Sequence, residues 1–194
     1  MRNLRPTLLA PVLTATTPGL LHAQKSGPAS AKAGPSLDVT MRFIQDTLSE
    51  IGTVNFVTFF QKTSDGSTGQ TTFVYQYSNV RVDARACDLS YHVKATRDGA
   101  SGEGDSHTRL ADAQDVVVEP FAQYISAGTA SQGHPELITT STNPTLTVLR
   151  MRYRPKSLHF DSFFLFTDAD LADRAAKAMS HAIELCGGGS KDPF

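Results

Sequence analysis

The apolar residues of this chain change period twice, and that change limits the fold more than any other feature. Leu37, Met41, Ile44, Leu48 and Ile51 recur at helical spacing, with Asp38, Arg42, Gln45, Asp46, Ser49 and Glu50 between them. This predicts an amphipathic helix with one buried stripe. Ser36 suits its N-cap, Asp38 its positive end and Gly52 its termination. The period then falls to two. Cys87, Leu89, Tyr91, Val93 and Ala95 share one face, and Asp88, Ser90, His92, Lys94 and Thr96 share the other. That is the pattern of a strand with one wet face. Residues 53–61, 70–77, 116–121, 145–153 and 158–166 read as further strands, with a short one at 107–110. Helical spacing returns at Leu171, Ala175, Ala178, Ala182, Leu185 and Cys186. Thr167 and Asp170 stand at N-cap and N3 spacing there, and Gly187-Gly188-Gly189 ends the helix.

Ser64-Asp65-Gly66, Arg97-Asp98-Gly99 and Arg154-Pro155-Lys156 supply turns between strand pairs. Segments 100–105 and 127–134 are rich in Gly, Ser and Ala and read as loops. The strands lie too close in sequence for helical crossovers, so the sheet is expected to be antiparallel. The predicted class is α+β: an antiparallel six- to seven-stranded barrel or sandwich with an N-terminal amphipathic helix and a C-terminal closing helix. Phe56, Phe59, Phe60, Phe73, Tyr75, Phe160 and Phe164 would fill it.

Ahead of this unit lies an export signal. Arg2 and Arg5 form a positive start, and residues 8–21 are mostly apolar and uncharged. Ala23 offers a small residue for cleavage before Gln24. Residues 1–23 therefore read as a signal peptide, 24–36 (QKSGPASAKAGPS) as a flexible linker, and 37–194 as one globular domain. No other stretch approaches the length of a transmembrane helix. The expected location is periplasmic or secreted.

Two cysteines in an exported chain point to a disulfide. Cys87 lies on the apolar face of its strand and Cys186 on the apolar face of the last helix, so both face inward. The alternative is two buried thiols acting as small core residues.

The chain of 194 residues carries 18 Lys plus Arg against 19 Asp plus Glu. That balance excludes a strongly basic nucleic-acid binder. His92, His107, His134, His159 and His181 survive cleavage. His159 and Asp161 share a strand face, Asp105 and His107 do so if that segment is extended, and His92 lies near Ser90 on a wet face. These are parts for a metal or acid–base site, but metal sites use three or more convergent ligands. The simpler reading is polar residues on wet strands. Gly99-Ala-Ser101-Gly-Glu-Gly104 is no nucleophile elbow, and Gly66-Ser-Thr-Gly69 is no phosphate loop. Arg150, Arg152, Arg154 and Lys156 form a basic run, either an anion site or a charged strand edge.

The order of one helix, about seven antiparallel strands and a closing helix resembles pleckstrin-homology-like barrels. The strand Cys87-Asp-Leu-Ser-Tyr91 and the ending Ala172-Asp-Arg174 with His181-Ala-Ile-Glu-Leu-Cys186-Gly-Gly resemble a group of exported bacterial proteins that carries no assigned activity. Phosphoinositide-binding members of the larger fold use a basic pocket between early strands. Here the first hairpin offers one Lys62 and one Asp65, a departure from that pattern. The expected function is a non-enzymatic binding or interaction module whose partner is an unknown protein or small ligand in the cell envelope. No cofactor, metal or catalytic residue is assigned. The alternatives are a carrier of a small apolar ligand, or a hydrolase built from dispersed His and Asp.

Overall fold

The computed structural model describes residues 34–62, 64–131, 137–141, 143–153 and 161–189, with the backbone alone for 128–131 and 137–141. The expected signal peptide, most of the linker, the 154–156 turn, His134 and His159 lie outside the described residues. The elements are α1 (Leu37–Ile51), β1 (Thr53–Lys62), β2 (Thr68–Asp83), β3 (Asp88–Arg97), β4 (Ala100–Arg109), a 3-10 turn (Leu110–Asp112), β5 (Ala113–Pro120), α2 (Phe121–Ser131), β6 (Leu137–Ser141), β7 (Thr147–Tyr153), β8 (Ser162–Phe166) and α3 (Ala169–Leu185).

Helix α1 forms where its stripe predicts. Ser36 caps it, with Oγ accepting from Val39 N–H at 3.5 Å, and Met41, Ile44 and Leu48 are buried. Gly52 leaves the helix at φ 59°, a conformation that favours glycine. From there the chain meanders through β1, β2, β3 and β4, and every pairing is antiparallel. Asp83 Oδ1 accepts from Arg85 and Ala86 N–H and folds the β2–β3 turn. Asp98 and Gly99 both take positive φ, 49° and 85°, which is the two-residue turn whose twist suits a hairpin.

Two expected loops are secondary structure. Residues 100–105 are the first half of β4, and 127–131 belong to α2. In β4 every residue from Ala100 to Asp105 is exposed, so no apolar alternation marks the strand. Its backbone pairing with β3, begun by the Asp98-Gly99 turn, makes it one. In α2 the helix rests on Phe121, Tyr124 and Ile125, which pack on Val54, Phe56 and Leu146. The N-cap of α3 also moves by one residue. Asp168, not Thr167, caps it, accepting from Asp170 and Leu171 N–H at 2.9 and 3.1 Å. A carboxylate is the stronger acceptor at the positive end of the helix.

Among the described residues the strands form two sheets and no closed barrel. The larger runs β4-β3-β2-β1-β6 and the smaller β5-β7-β8. Alternation in the smaller sheet buries both of its faces. Leu149, Met151, Phe164 and Phe166 join one core with Tyr77, Leu89, Tyr91, α1 and α3. Val148 and Leu165 join a second core with Val54, Phe56 and Phe121. Tyr77 ties the sheets together: its ring lies 5.5 Å from that of Phe164, and its Oη accepts from Leu165 N–H at 3.3 Å.

The end of α3 is fastened to the larger sheet. Cys87 and Cys186 form a disulfide, with Cα atoms 5.8 Å apart and a sequence separation of 99. Cys87 stands just before β3, in the turn, at φ 54°. Its carbonyl accepts from Leu110 N–H at 2.9 Å. Two residues past Cys186, Gly188 packs so closely that an added Cβ would lie 2.5 Å from Leu110 O. Gly189 N–H donates to Ala113 O at 3.0 Å.

Two outcomes follow from this packing. Replacing both cysteines by serine lowers unfolding stability by about 4 kcal/mol, because the bridge closes a long loop; urea unfolding measures it, and the native chain yields no alkylatable thiol from Cys87 or Cys186. Burial raises the ionisation of Tyr75, Tyr77 and Tyr153 above the ordinary phenol range. Their neutral forms therefore favour the fold fully below the unfolded value of about 10, and that contribution fades as pH rises beyond it. Unfolding curves from pH 8 to 11 should show stability falling only above about pH 10.

Candidate functional site

The outer face of the larger sheet carries the polar groups. Its period places Asp88, Ser90 and His92 of β3 beside Asp105 and His107 of β4, and the register pairs His92 with Asp105 and Ser90 with His107. The hydrogen bond across the first pair is 2.9 Å, from His92 Nδ1 to Asp105 Oδ1. His107 Nδ1 lies 3.7 Å from Asp88 Oδ2, a looser ion-pair contact. A carboxylate on Nδ1 orients an imidazole and leaves its Nε2 facing away from that carboxylate.

Strand β2 supplies the other wall. Between Ser78 and Arg81 the register slips at a β-bulge, and Asn79 takes φ 53°. Asn accepts this left-handed conformation better than most residues. Beyond the bulge Arg81 stands opposite Ser90. Asn79, Arg81, Ser90, His92, Asp105 and His107 line an open groove of about 290 Å³. Arg81 has no carboxylate partner among the described residues. The groove thus offers a guanidinium, an amide, a hydroxyl, two imidazoles and a carboxylate, and it suits a hydrogen-bonding ligand better than an apolar one.

The histidines separate by role. His92 and His107 converge on the groove with Asp105. His181 is structural, its Nε2 lying 3.0 Å from Pro35 O ahead of α1. Asp161 pairs with Arg150 at 3.7 Å, away from the groove. Among the described residues no three His, Cys, Asp or Glu are placed to hold a metal ion. Among the described residues the side-chain partners of His92 and His107 are carboxylates, and no hydroxyl is hydrogen-bonded to either ring.

The described part of the basic run is neutralised. Arg152 grips Asp115 through two hydrogen bonds across β5 and β7, and these hold its guanidinium charged above the usual Arg range. Arg150 lies 3.1 Å from Glu119, an ion pair by distance that lacks hydrogen-bond alignment, and 5.7 Å from the centre of the Tyr124 ring. These arginines brace β5 against β7. Arg154 and Lys156 lie outside the described residues.

Arg81 and Asn79 are the groove residues that the sequence reading does not single out. The signal for them is a break in alternation: Ser78 and Asn79 are two exposed residues in succession between buried Tyr77 and Val80. A comparison with models of known protein families finds none that matches this chain, and one with curated proteins finds no match either.

Because these side chains stand on a wet face, the fold does not depend on them. Arg81→Ala and His107→Ala should each leave unfolding stability within about 0.5 kcal/mol of the parent, as thermal or urea unfolding will show.

Proposed function

We propose that the chain is an exported, non-enzymatic binding module that engages a polar partner or small ligand through the β2–β3–β4 face. One observation carries the reading: Arg81, His92 and His107 converge on an open polar groove without a bonded nucleophile. The face lies on a sheet whose far side is core, so the groups are held rigidly. The Cys87–Cys186 bridge fits an oxidising envelope or extracellular setting, and no described helix is long and apolar enough to cross a membrane. The signal peptide read at 1–23 supports the same location, periplasmic or secreted.

The pleckstrin-homology-like reading is part of this proposal and rests on element order alone, since the described strands form no closed barrel. A four-stranded meander β1–β4, a second sheet β5-β7-β8 and a closing helix α3 follow one another, with α2 and β6 inserted. Membership of the exported bacterial group is the finer part of this proposal and rests on the Cys87–Tyr91 strand and the chain's ending. The enzyme alternative rests on the His92–Asp105 bond, which is the base half of a nucleophile relay. The carrier alternative is less favoured, since the groove is lined by polar side chains.

The test is crosslinking in the native envelope followed by affinity recovery. A specific partner should be recovered with the parent chain and lost with Arg81→Glu and His107→Ala, both of which should fold. Turnover on a panel of hydrolase substrates that disappears in His92→Ala would replace the binding reading by the enzymatic one.

A further inference from the structure

Strand β4 is the edge of the larger sheet and has a neighbour, β3, on one side only among the described residues. It is ten residues long, and its sequence ASGEGDSHTR contains no proline. Its pairing with β3 runs without a slip from Asp88↔Arg109 to Arg97↔Ala100. Edges of this length and regularity are templates for another strand.

The direction of its backbone groups is settled by one bond. Leu110 N–H donates to Cys87 O at 2.9 Å, so residue 110 faces β3. In an antiparallel ladder alternate residues bond to opposite sides. The even-numbered residues of β4 therefore bond to β3. The N–H and C=O groups of Ser101, Glu103, Asp105, His107 and Arg109 point to the open edge. The same odd-numbered residues carry the outward side chains, and these are sorted along the strand: Glu103 and Asp105 come first, His107 and Arg109 last. Neither Glu103 nor Arg109 is in an ion pair among the described residues.

We propose that β4 pairs with β4 of a second copy of this chain, antiparallel about a twofold axis at Ser106. This register sets Glu103 of each copy opposite Arg109 of the other, and Asp105 opposite His107. Every edge-facing backbone group from Glu103 to Arg109 then has a partner. Registers centred on Gly104 or Asp105 set acid against acid, and one centred on His107 sets the two His107 rings together. Only the Ser106 register satisfies both side chains and backbone along the strand, and opposite charges across a pair are the favourable arrangement in a sheet. The interface is isologous and closed, so it ends at a dimer. Asp105 and His107 also line the groove, and the pairing brings the grooves of the two copies side by side across the axis.

Sedimentation equilibrium of the exported, disulfide-bonded chain tests this. The parent should associate to a dimer. Glu103→Lys and Arg109→Glu should each weaken the dimer by about tenfold, since each variant places like charges in two pairs per dimer. The double variant E103K/R109E, and an equimolar mixture of the two single variants, should regain the parent's association. Circular dichroism matching the parent reports that these exposed-edge variants fold. A parent that stays monomeric at about 100 µM, a millimolar-range affinity at best, overturns the proposal. So does a dimer that neither charge reversal weakens, or one that the double variant fails to restore. The two readings are tested separately, because Arg81 of β2 lies in the groove but outside the β4 pairing, whereas Glu103 and Arg109 lie in the pairing but outside the groove lining.

Discussion

The structure depends on how the last helix meets the first sheet. Cys186, Gly188 and Gly189 form one short contact region: a covalent bond to Cys87, a close approach to Leu110 O and a hydrogen bond to Ala113 O. Each partner belongs to a joint in the chain. Cys87 closes the β2–β3 turn, and Leu110 and Ala113 bracket the 3-10 turn that carries the chain from one sheet to the other. Fixing these joints fixes the two sheets relative to α3. A side chain at position 188 would hold the helix end away from the backbone it touches, so glycine is a steric requirement there.

With that end fixed, the interior divides around the smaller sheet. Both faces of β7 and β8 are occupied, and the aromatic rings of Tyr77, Tyr91 and Phe164 interlock at 4.7 to 6.3 Å in one core. Phe56, Phe73 and Phe121 do the same in the other, at 4.6 and 5.1 Å. Polar residues have little room inside this arrangement, and buried ones such as Thr58, Thr71 and Thr108 are small. The outer face of the larger sheet is where ionisable groups gather without a desolvation cost. The site is polar because its face is the one that the packing leaves to water.

Much of this was legible in the residues. The stripe Met41, Ile44, Leu48 and the alternation from Asp88 to Thr96 are local patterns enforced by burial on one side, and they read correctly. The pairing of Cys87 with Cys186 was legible because each lies on, or next to, the apolar face of its element. The first half of β4 was not, since residues 100–105 are exposed on both faces and show no pattern, and their glycines and serines resemble a loop; only the end of the strand, read as a short strand at 107–110, was visible. Helix α2 was hidden by its small, polar middle, with its anchors Phe121 and Tyr124 only three residues apart. That the strands divide into two sheets rests on contacts distant in sequence, such as Tyr77 with Leu165, which no short window contains. The groove was half legible: His92 and Asp105 were visible as polar residues, but their pairing required β4 to be a strand.

Asn79 has a consequence for the outer surface of the sheet. If it were deleted, Tyr77, Ser78, Val80 and Arg81 would alternate inward and outward without interruption, and the core would keep every apolar contact it has along this strand. The extra residue therefore contributes nothing to burial and occupies a conformation that an L-residue adopts reluctantly. What it adds is curvature, separating Ser78 from Arg81 and opening the floor over which the histidines stand. The bulge thus serves the outer surface of the sheet and not the core beneath it.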